Sequence, residues 1–283
     1  MISDSPNTLK CENCGQGYPI IDDIPFFFCP ESIKNFIQID EQRRNSGKTQ
    51  RKNIAGGAYH WQEYKISEFL PTPAQGKDVM LLGCGDAGER TYLHDIGFET
   101  VAFDVVRSQG TDFLADAHKI PLGNATFDGV ISMQVLEHLH SPWIAVQEIS
   151  RILKPGGWFV GSVAFLKPYH NSYFHMTHKG AQQLLSISGL VIDKIMGAQS
   201  ITYTIYGTML PLGKRSVSRF VYGTVDAIIN YIRTKLWVWR TGLKPDQPTE
   251  RFNAGFPFSF KDFQRIRFAP SIVFRVWKNE SEL

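Results

Sequence analysis

The chain is poor in cysteine and nearly balanced in charge. Four cysteines among 283 residues are too few for a disulfide-framed scaffold and fit a reducing compartment. The formal net charge is +3, from 30 basic and 27 acidic residues. That excess is too small to argue for a nucleic-acid partner, and no basic stripe interleaved with stacking aromatics stands out. No run of roughly 18 uncharged apolar residues occurs, so no segment reads as a membrane span. Met1 to Lys10 lacks the apolar core of a leader peptide. The expectation is a cytoplasmic globular protein, and a hydrophobic fraction of 43% allows a sizeable core.

What the chain does have is a glycine-rich turn in a telling place. Val79, Met80, Leu81 and Leu82 form an apolar run that reads as a buried parallel strand. Gly83, Cys84, Gly85, Asp86, Ala87 and Gly88 follow, and then a stretch from Glu89 that can start a helix. Strand, Gly-x-Gly-x-x-Gly and helix make the nucleotide-binding turn of doubly wound α/β folds. The glycines admit positive φ and close approach of a ligand to the backbone. The helix N-terminus adds unpaired N–H groups suited to a carboxylate or phosphate. A second strand, from Thr100, ends in Asp104, a little under the roughly 20 residues after the glycines at which an acid accepts ribose hydroxyls. NAD and S-adenosylmethionine sites share this much.

Further blocks separate the two. Asp112 to Pro121 supplies a third strand tip, with Asp116 and Ala117 where an adenine edge would sit. Phe127 to Ser132, Val135 to Leu139 and Leu153 to Gly157 follow in order. Together with the glycine turn, these segments resemble the class I S-adenosylmethionine-dependent methyltransferases, the type-11 small-molecule branch in particular, over about residues 59–198. The resemblance implies an α/β fold: a doubly wound, Rossmann-like, seven-stranded sheet with an antiparallel last strand, a small N-terminal hairpin and a helical lid insertion. It also implies S-adenosyl-L-methionine as cofactor, held by Gly83, Cys84, Gly85, Asp86, Gly88, Asp104, Asp116, Ala117 and Gln134.

The chain divides by composition into residues 1–30, 31–58 and 59–283. Cys11 and Cys14 form a C-x-x-C knuckle before an apolar stretch, Tyr18 to Pro25, that reads as a hairpin. This resembles half of the zinc ribbon that precedes many type-11 enzymes. A structural zinc needs four ligands. Only Cys29 is a nearby third thiol, so no metal is expected. Residues 31–58 are polar and basic and read as a linker, or as a flap over the cofactor. Residues 59–70 read as a helix before the first strand. Between Asp104 and Asp112 there are too few residues for a crossover helix, which needs about a dozen. A helix opening at Ser141-Pro142 should run to Leu153, and another from His178 to Ser188; Leu190 to Met196 and Ser271 to Trp277 read as the last two strands.

The insertion, 206–268, carries Val221, Val225, Ile228, Ile232, Leu236 and Trp239 on one helical stripe, flanked by Arg215, Arg219, Arg233, Lys235 and Arg240. It reads as a lid helix, or as a peripheral membrane contact through residues 215–240 serving a lipid-linked acceptor.

For the chemistry, a hydroxyl acceptor needs a base. His138, after the fourth strand, and His175, in the histidine-rich stretch with His170 and His178, are the candidates. The expected activity is O-methylation of a small or lipid-linked acceptor, a sugar or secondary metabolite. The Asn-Pro-Pro-aromatic signature of amino-directed nucleic-acid methyltransferases is absent. Ribosomal-RNA guanine methylation and a non-catalytic partner role are the alternatives.

Overall fold

A computed structural model of the chain describes residues 2–5, 7–28, 37–38, 66–167, 170–198, 215–246, 259, 262, 266 and 269–280. Cys29, nearly all of the 31–58 linker, the start of the expected helix at 59–70 and most of the insertion outside 215–246 lie outside the described residues.

The strands, in chain order, are β1 (Ile2–Ser5), β2 (Thr8–Lys10), β3 (Gly17–Ile21), β4 (Ile24–Phe27), β5 (Lys77–Leu82), β6 (Phe98–Asp104), β7 (Phe113–Ala115), β8 (Phe127–Met133), β9 (Leu153–Ala164), β10 (Leu190–Ala198) and β11 (Ser271–Lys278). The longer helices are α1 (Arg90–Asp95), α2 (Pro142–Ile152), α3 (His178–Ser186) and α4 (Arg215–Thr241). The sheet order is β1-β2-β3-β4-β7-β6-β5-β8-β9-β11-β10. Strands β7, β6, β5, β8 and β9 run parallel, and β11 is antiparallel to both β9 and β10. Order reverses between β5 and β8, the point at which open α/β sheets bind ligands beyond their carboxyl ends.

The strand count corrects the expected seven. The N-terminal strands continue the sheet to eleven, because β4 pairs in parallel with β7, Phe26 with Leu114 and Phe27 with Ala115. β7 would otherwise be an open edge, a row of unpaired N–H and C=O groups. Asp22 and Asp23, both at positive φ, turn β3 into β4 in a two-residue hairpin. Phe26, Phe28 and Leu114 are fully buried at the seam, and Phe27 meets Phe113 edge-on with ring centres 5.5 Å apart. Arg107 ties the hairpin to the loop after β6: its guanidinium donates to the Ile21 and Asp22 carbonyls at 2.7 and 3.3 Å and lies over the Phe26 ring.

The central strands are apolar on both faces, as a sheet covered on both sides requires. Val79, Met80, Leu81 and Leu82 are all buried. One face packs Met80, Leu82, Phe159 and Phe274 against α2 and α3; the other packs Val79, Leu81, Val160 and Val273 against Phe69, Leu93 and Trp158. Gly129 is required here, since a Cβ would sit 2.2 Å from the Trp158 ring that crosses it. No helix joins β6 to β7, as the short spacing indicates. Arg90 braces that bare connection, giving its two terminal nitrogens to the Asp112 carboxylate at 3.0 and 2.7 Å and reaching the Thr100 and Gly110 carbonyls.

Candidate active site

The glycine turn leaves β5 with Gly83, Gly85 and Ala87 all at positive φ. The backbone N–H groups of Gly83 and Cys84 both donate to the Phe103 carbonyl, at 2.9 and 3.1 Å, which locks the turn to the end of β6. Gly85 donates its N–H to Asp104 Oδ2 at 3.0 Å, and Val106 donates to Asp104 Oδ1 at 3.2 Å. A carboxylate offers about four lone-pair positions, so the single side chain of Asp104 can hold both the glycine turn and the loop after β6. A Cβ on Gly85 would meet nothing within 4 Å, so the turn faces open space, and a ligand can lie against its backbone. Ser108 Oγ caps the Gly85 carbonyl from the β6–β7 loop. Asp86 and Gly88 are exposed at the rim. The Cys84 thiol is half-buried, and burial together with the nearby Asp104 charge pushes it up to about 12, which keeps it protonated and unreactive.

Asp116 and Ala117 lie immediately beyond β7. The Asp116 carboxylate is engaged by a neighbour that sequence reasoning passed over: His118 Nδ1 lies 2.6 Å from Oδ1, and the His118 ring stacks on His140 at 4.2 Å between centres. Gln134 stands at the end of β8 with φ of 57°. Its amide donates to Ser162 Oγ, and its carbonyl accepts from Lys167 and Ser271, so it stitches β8, β9 and β11 together at their carboxyl edge.

Val135 comes next and lies against Gly83, which brings the following residues beside the glycine turn. Glu137 is fully buried in a short 3-10 turn. It accepts the Ala164 N–H at 3.1 Å through Oε1, and Oε2 has no hydrogen-bond partner. The histidine-rich loop after β9 folds back over it, pinned by the Phe174 N–H donating to the Glu137 carbonyl and the Met176 N–H donating to Ala164. This places His170 Nε2 3.5 Å from Glu137 Oε1, with the His138 ring edge-on at 4.7 Å. Of the two expected base candidates, His138 therefore joins the cluster directly; His175 is exposed at its margin, its ring 6.3 Å from that of His170. Glu137 and His170 are the additions that geometry makes. His178 opens α3, where Thr177 caps the helix by accepting the Gly180 N–H.

Burial works against charge on both members of the central pair. It pushes the Glu137 carboxyl up to about 7, despite the Ala164 hydrogen bond. It brings His170 down to about 4, helped by Lys167 and the neighbouring histidines. His138 is lowered too, mainly by partial desolvation, against a hydrogen bond to the Asn171 backbone. The usual order of carboxyl and imidazole is inverted, so a proton held by the pair rests on Glu137. One ligand atom each from Glu137, His138 and His170 also falls within 4.8 Å of the others, a carboxylate-plus-imidazole set of the kind that can hold a divalent cation.

With this geometry in view, the comparisons with known proteins are specific. The family model described as "Methyltransferase domain", of the type-11 group, matches residues 76–161. That span runs from β5 to β9 and includes the glycine turn, Asp104, Glu137 and His138. Residues 76–161 form a class I S-adenosylmethionine-dependent methyltransferase domain. An S-adenosylmethionine-dependent methyltransferase of Mycolicibacterium smegmatis is 25% identical over 174 residues, covering 54% of this chain and 67% of its own. The malonyl-[acyl-carrier protein] O-methyltransferase of Enterobacter lignolyticus is 38% identical over 89 residues, 28% of this chain and 36% of its own. The fatty-acid O-methyltransferase of Mycolicibacterium smegmatis is 29% identical over 116 residues, 34% and 42% of the two chains. The chain thus spans about two thirds of the first relative's length and well under half of the other two. Among solved structures, a chain of the complex between the Haloferax volcanii Trm112 methyltransferase activator and a methyltransferase aligns over 86% of this chain at a TM-score of 0.49 and 16% identity.

The cofactor of this methyltransferase domain is S-adenosylmethionine, and Asp104 gives a direct test of where it sits. Replacing Asp104 with alanine removes charge-assisted hydrogen bonds worth roughly 1.5–3 kcal/mol each. Affinity for S-adenosylmethionine by titration calorimetry should fall at least about tenfold, with the circular dichroism spectrum retained. Unchanged affinity would make Asp104 purely a brace for the Gly85 turn.

Proposed function

We propose that this protein transfers a methyl group from S-adenosylmethionine to an oxygen of a small or lipid-linked acceptor, a hydroxyl of a sugar or another secondary metabolite. The observation that carries the reading is the pairing of buried Glu137 with half-buried His170 near the glycine turn, a place where a proton can be received. When bound, the cofactor supplies a methyl group already activated on a sulfonium. The chain then has to align and to handle one proton. Gly83, Gly85 and Asp104 fix the cofactor end. His170, with His138 beside it, takes the acceptor's proton and passes it to Glu137, the more basic member of the pair in this setting. That proton comes to rest on the Glu137 carboxyl, whose Oε1 lies 3.5 Å from His170 Nε2. Named relatives that methylate oxygen support the same direction, although their acceptors are their own.

The test is a screen for release of S-adenosylhomocysteine from panels of hydroxylated small molecules, fatty acids, acyl-carrier thioesters and ribosomal RNA, each run with and without EDTA. Turnover on a small hydroxylated acceptor, undiminished by EDTA, is the expected result. Turnover on ribosomal RNA alone would install the guanine-methylating alternative. Cofactor binding without turnover on any panel would favour a non-catalytic partner role. Turnover abolished by EDTA would assign Glu137, His138 and His170 to a metal in place of a proton.

A further inference from the structure

Helix α4 does not behave like a lid packed on its own domain. It is 27 residues long, about 40 Å at the α-helical rise. None of the side chains described on it, or on the residues that follow to 246, is buried. Yet its sequence is amphipathic. Ile228, Ile232, Leu236 and Trp239 recur at spacings of four, four and three, which puts them on one stripe, and Leu243 extends it beyond the helix. All five are exposed, Trp239 to 85%. A stripe of that kind is stabilised only by a surface that covers it.

The charges say which surface. Residues 215–246 hold six cations, Arg215, Arg219, Arg233, Lys235, Arg240 and Lys244, against two acids, Asp226 and Asp246. Arg233 and Arg240 fall along one flank of the stripe, and Lys235 reaches over the Tyr231 ring at 5.5 Å. Three of the aromatic residues of this stretch, Tyr231, Trp237 and Trp239, are of the types that settle at the boundary between headgroups and acyl chains. No helix among the described residues is long and apolar enough to cross a bilayer. An apolar stripe, cationic margins and boundary aromatics together describe a helix lying in the plane of an interface.

We propose that α4 docks this protein on the surface of an anionic lipid bilayer, with Ile228, Ile232, Leu236 and Trp239 entering the acyl boundary and Arg233, Lys235, Arg240 and Lys244 meeting acidic headgroups. The proposal stands apart from the methyl acceptor's identity, since a membrane-docked enzyme can act on a soluble or a lipid-linked acceptor.

The experiment is co-sedimentation of the full chain with vesicles of phosphatidylcholine alone and of phosphatidylcholine with phosphatidylglycerol. Binding to the anionic vesicles should exceed binding to the neutral ones by at least about tenfold and fall as salt is raised. Ile232→Ser/Leu236→Ser/Trp239→Ser should lose binding to both, and Lys235→Gln/Arg240→Gln/Lys244→Gln should lose the preference for anionic lipid. Both variants change exposed positions, so their melting curves should match the parent's. Absence of vesicle binding, or binding unchanged in the first variant, overturns the proposal. A dimer in analytical ultracentrifugation that dissociates in that variant, with no vesicle binding, would instead give the stripe to a second copy of the chain.

Discussion

Gly83→Ala is expected to lower affinity for S-adenosylmethionine at least about a hundredfold, the largest loss that removing no functional group can cause here. Two costs meet at this position. The backbone is left-handed, with φ of 68°, and a side chain held there costs roughly 1–2 kcal/mol. The new methyl would also lie 2.3 Å from Val135 Cγ2 and 3.0 Å from Cγ1. Valine is stiff at χ1 and cannot swing both methyls clear, so overpacking adds roughly 1–3 kcal/mol. The turn will move sooner than bear the sum, and moving it displaces the N–H groups of Gly83 and Cys84 from Phe103 and that of Gly85 from Asp104. Gly85→Ala is the comparison: its φ of 53° carries a similar backbone cost, with nothing for the methyl to strike. Gly83→Ala/Val135→Ala should recover the packing share of the lost melting temperature and leave the backbone share. Calorimetric affinity for Gly83→Ala equal to the parent's would remove the glycine turn from the cofactor site.

Much of this arrangement was legible in the sequence because it rests on short-range rules. Apolar runs marked β5, β6, β8, β10 and β11, the Ser141-Pro142 start marked α2, and the count from Asp104 to Asp112 excluded a helix. The glycine turn and its neighbour Asp104 were legible as local structure for the same reason: tight turn and strand-end acid are spaced along one βαβ unit. What escaped depends on residues far apart in the chain. Nothing local in Ile24–Phe27 says that it will pair with Phe113–Ala115; that register follows from an open sheet edge and from Phe26 and Phe28 needing burial. The start of β9 also escaped, since the block from Leu153 to Gly157 carries no strand pattern of its own, while the chain from Leu153 onward is already strand. The site shows the same division. His138 was visible by its place after β8. The pairing of Glu137 with His170 was not, because it needs the loop after β9 to fold back and bond to the Glu137 carbonyl through Phe174. Likewise, Asp116 was visible as a strand-tip acid, whereas its capture by His118 is a matter of side-chain geometry.

The Glu137–His170 pair makes a prediction in which rate and stability move in opposite directions. In the parent protein, kcat/KM should rise with pH through about 7, where Glu137 ionises and becomes able to accept a proton. The His170 imidazole, brought down to about 4, cannot produce that limb. Glu137→Gln should lose about a hundredfold in kcat/KM at pH 8, the low end of what a positioned base contributes, and its profile should be flat through 7. Stability runs the other way. The folded value is raised from 4.5 to about 7, so the protonated carboxyl is the form that the fold favours. Its contribution is fully present below about pH 4.5 and is lost as pH rises through 7, a loss on the order of 3 kcal/mol from a shift of about 2.5 pH units. Denaturant midpoints of the parent should therefore fall between pH 5 and pH 8, and those of Glu137→Gln should not, because the amide stays neutral throughout. His138→Ala and His175→Ala probe the flanking rings. If both keep full activity while His170→Ala does not, His170 alone receives the acceptor's proton. A Glu137→Gln enzyme with the parent's rate and the parent's pH limb would mean that the carboxyl only holds Ala164 and the loop in place, and that transfer proceeds by alignment of acceptor and methyl donor without a base.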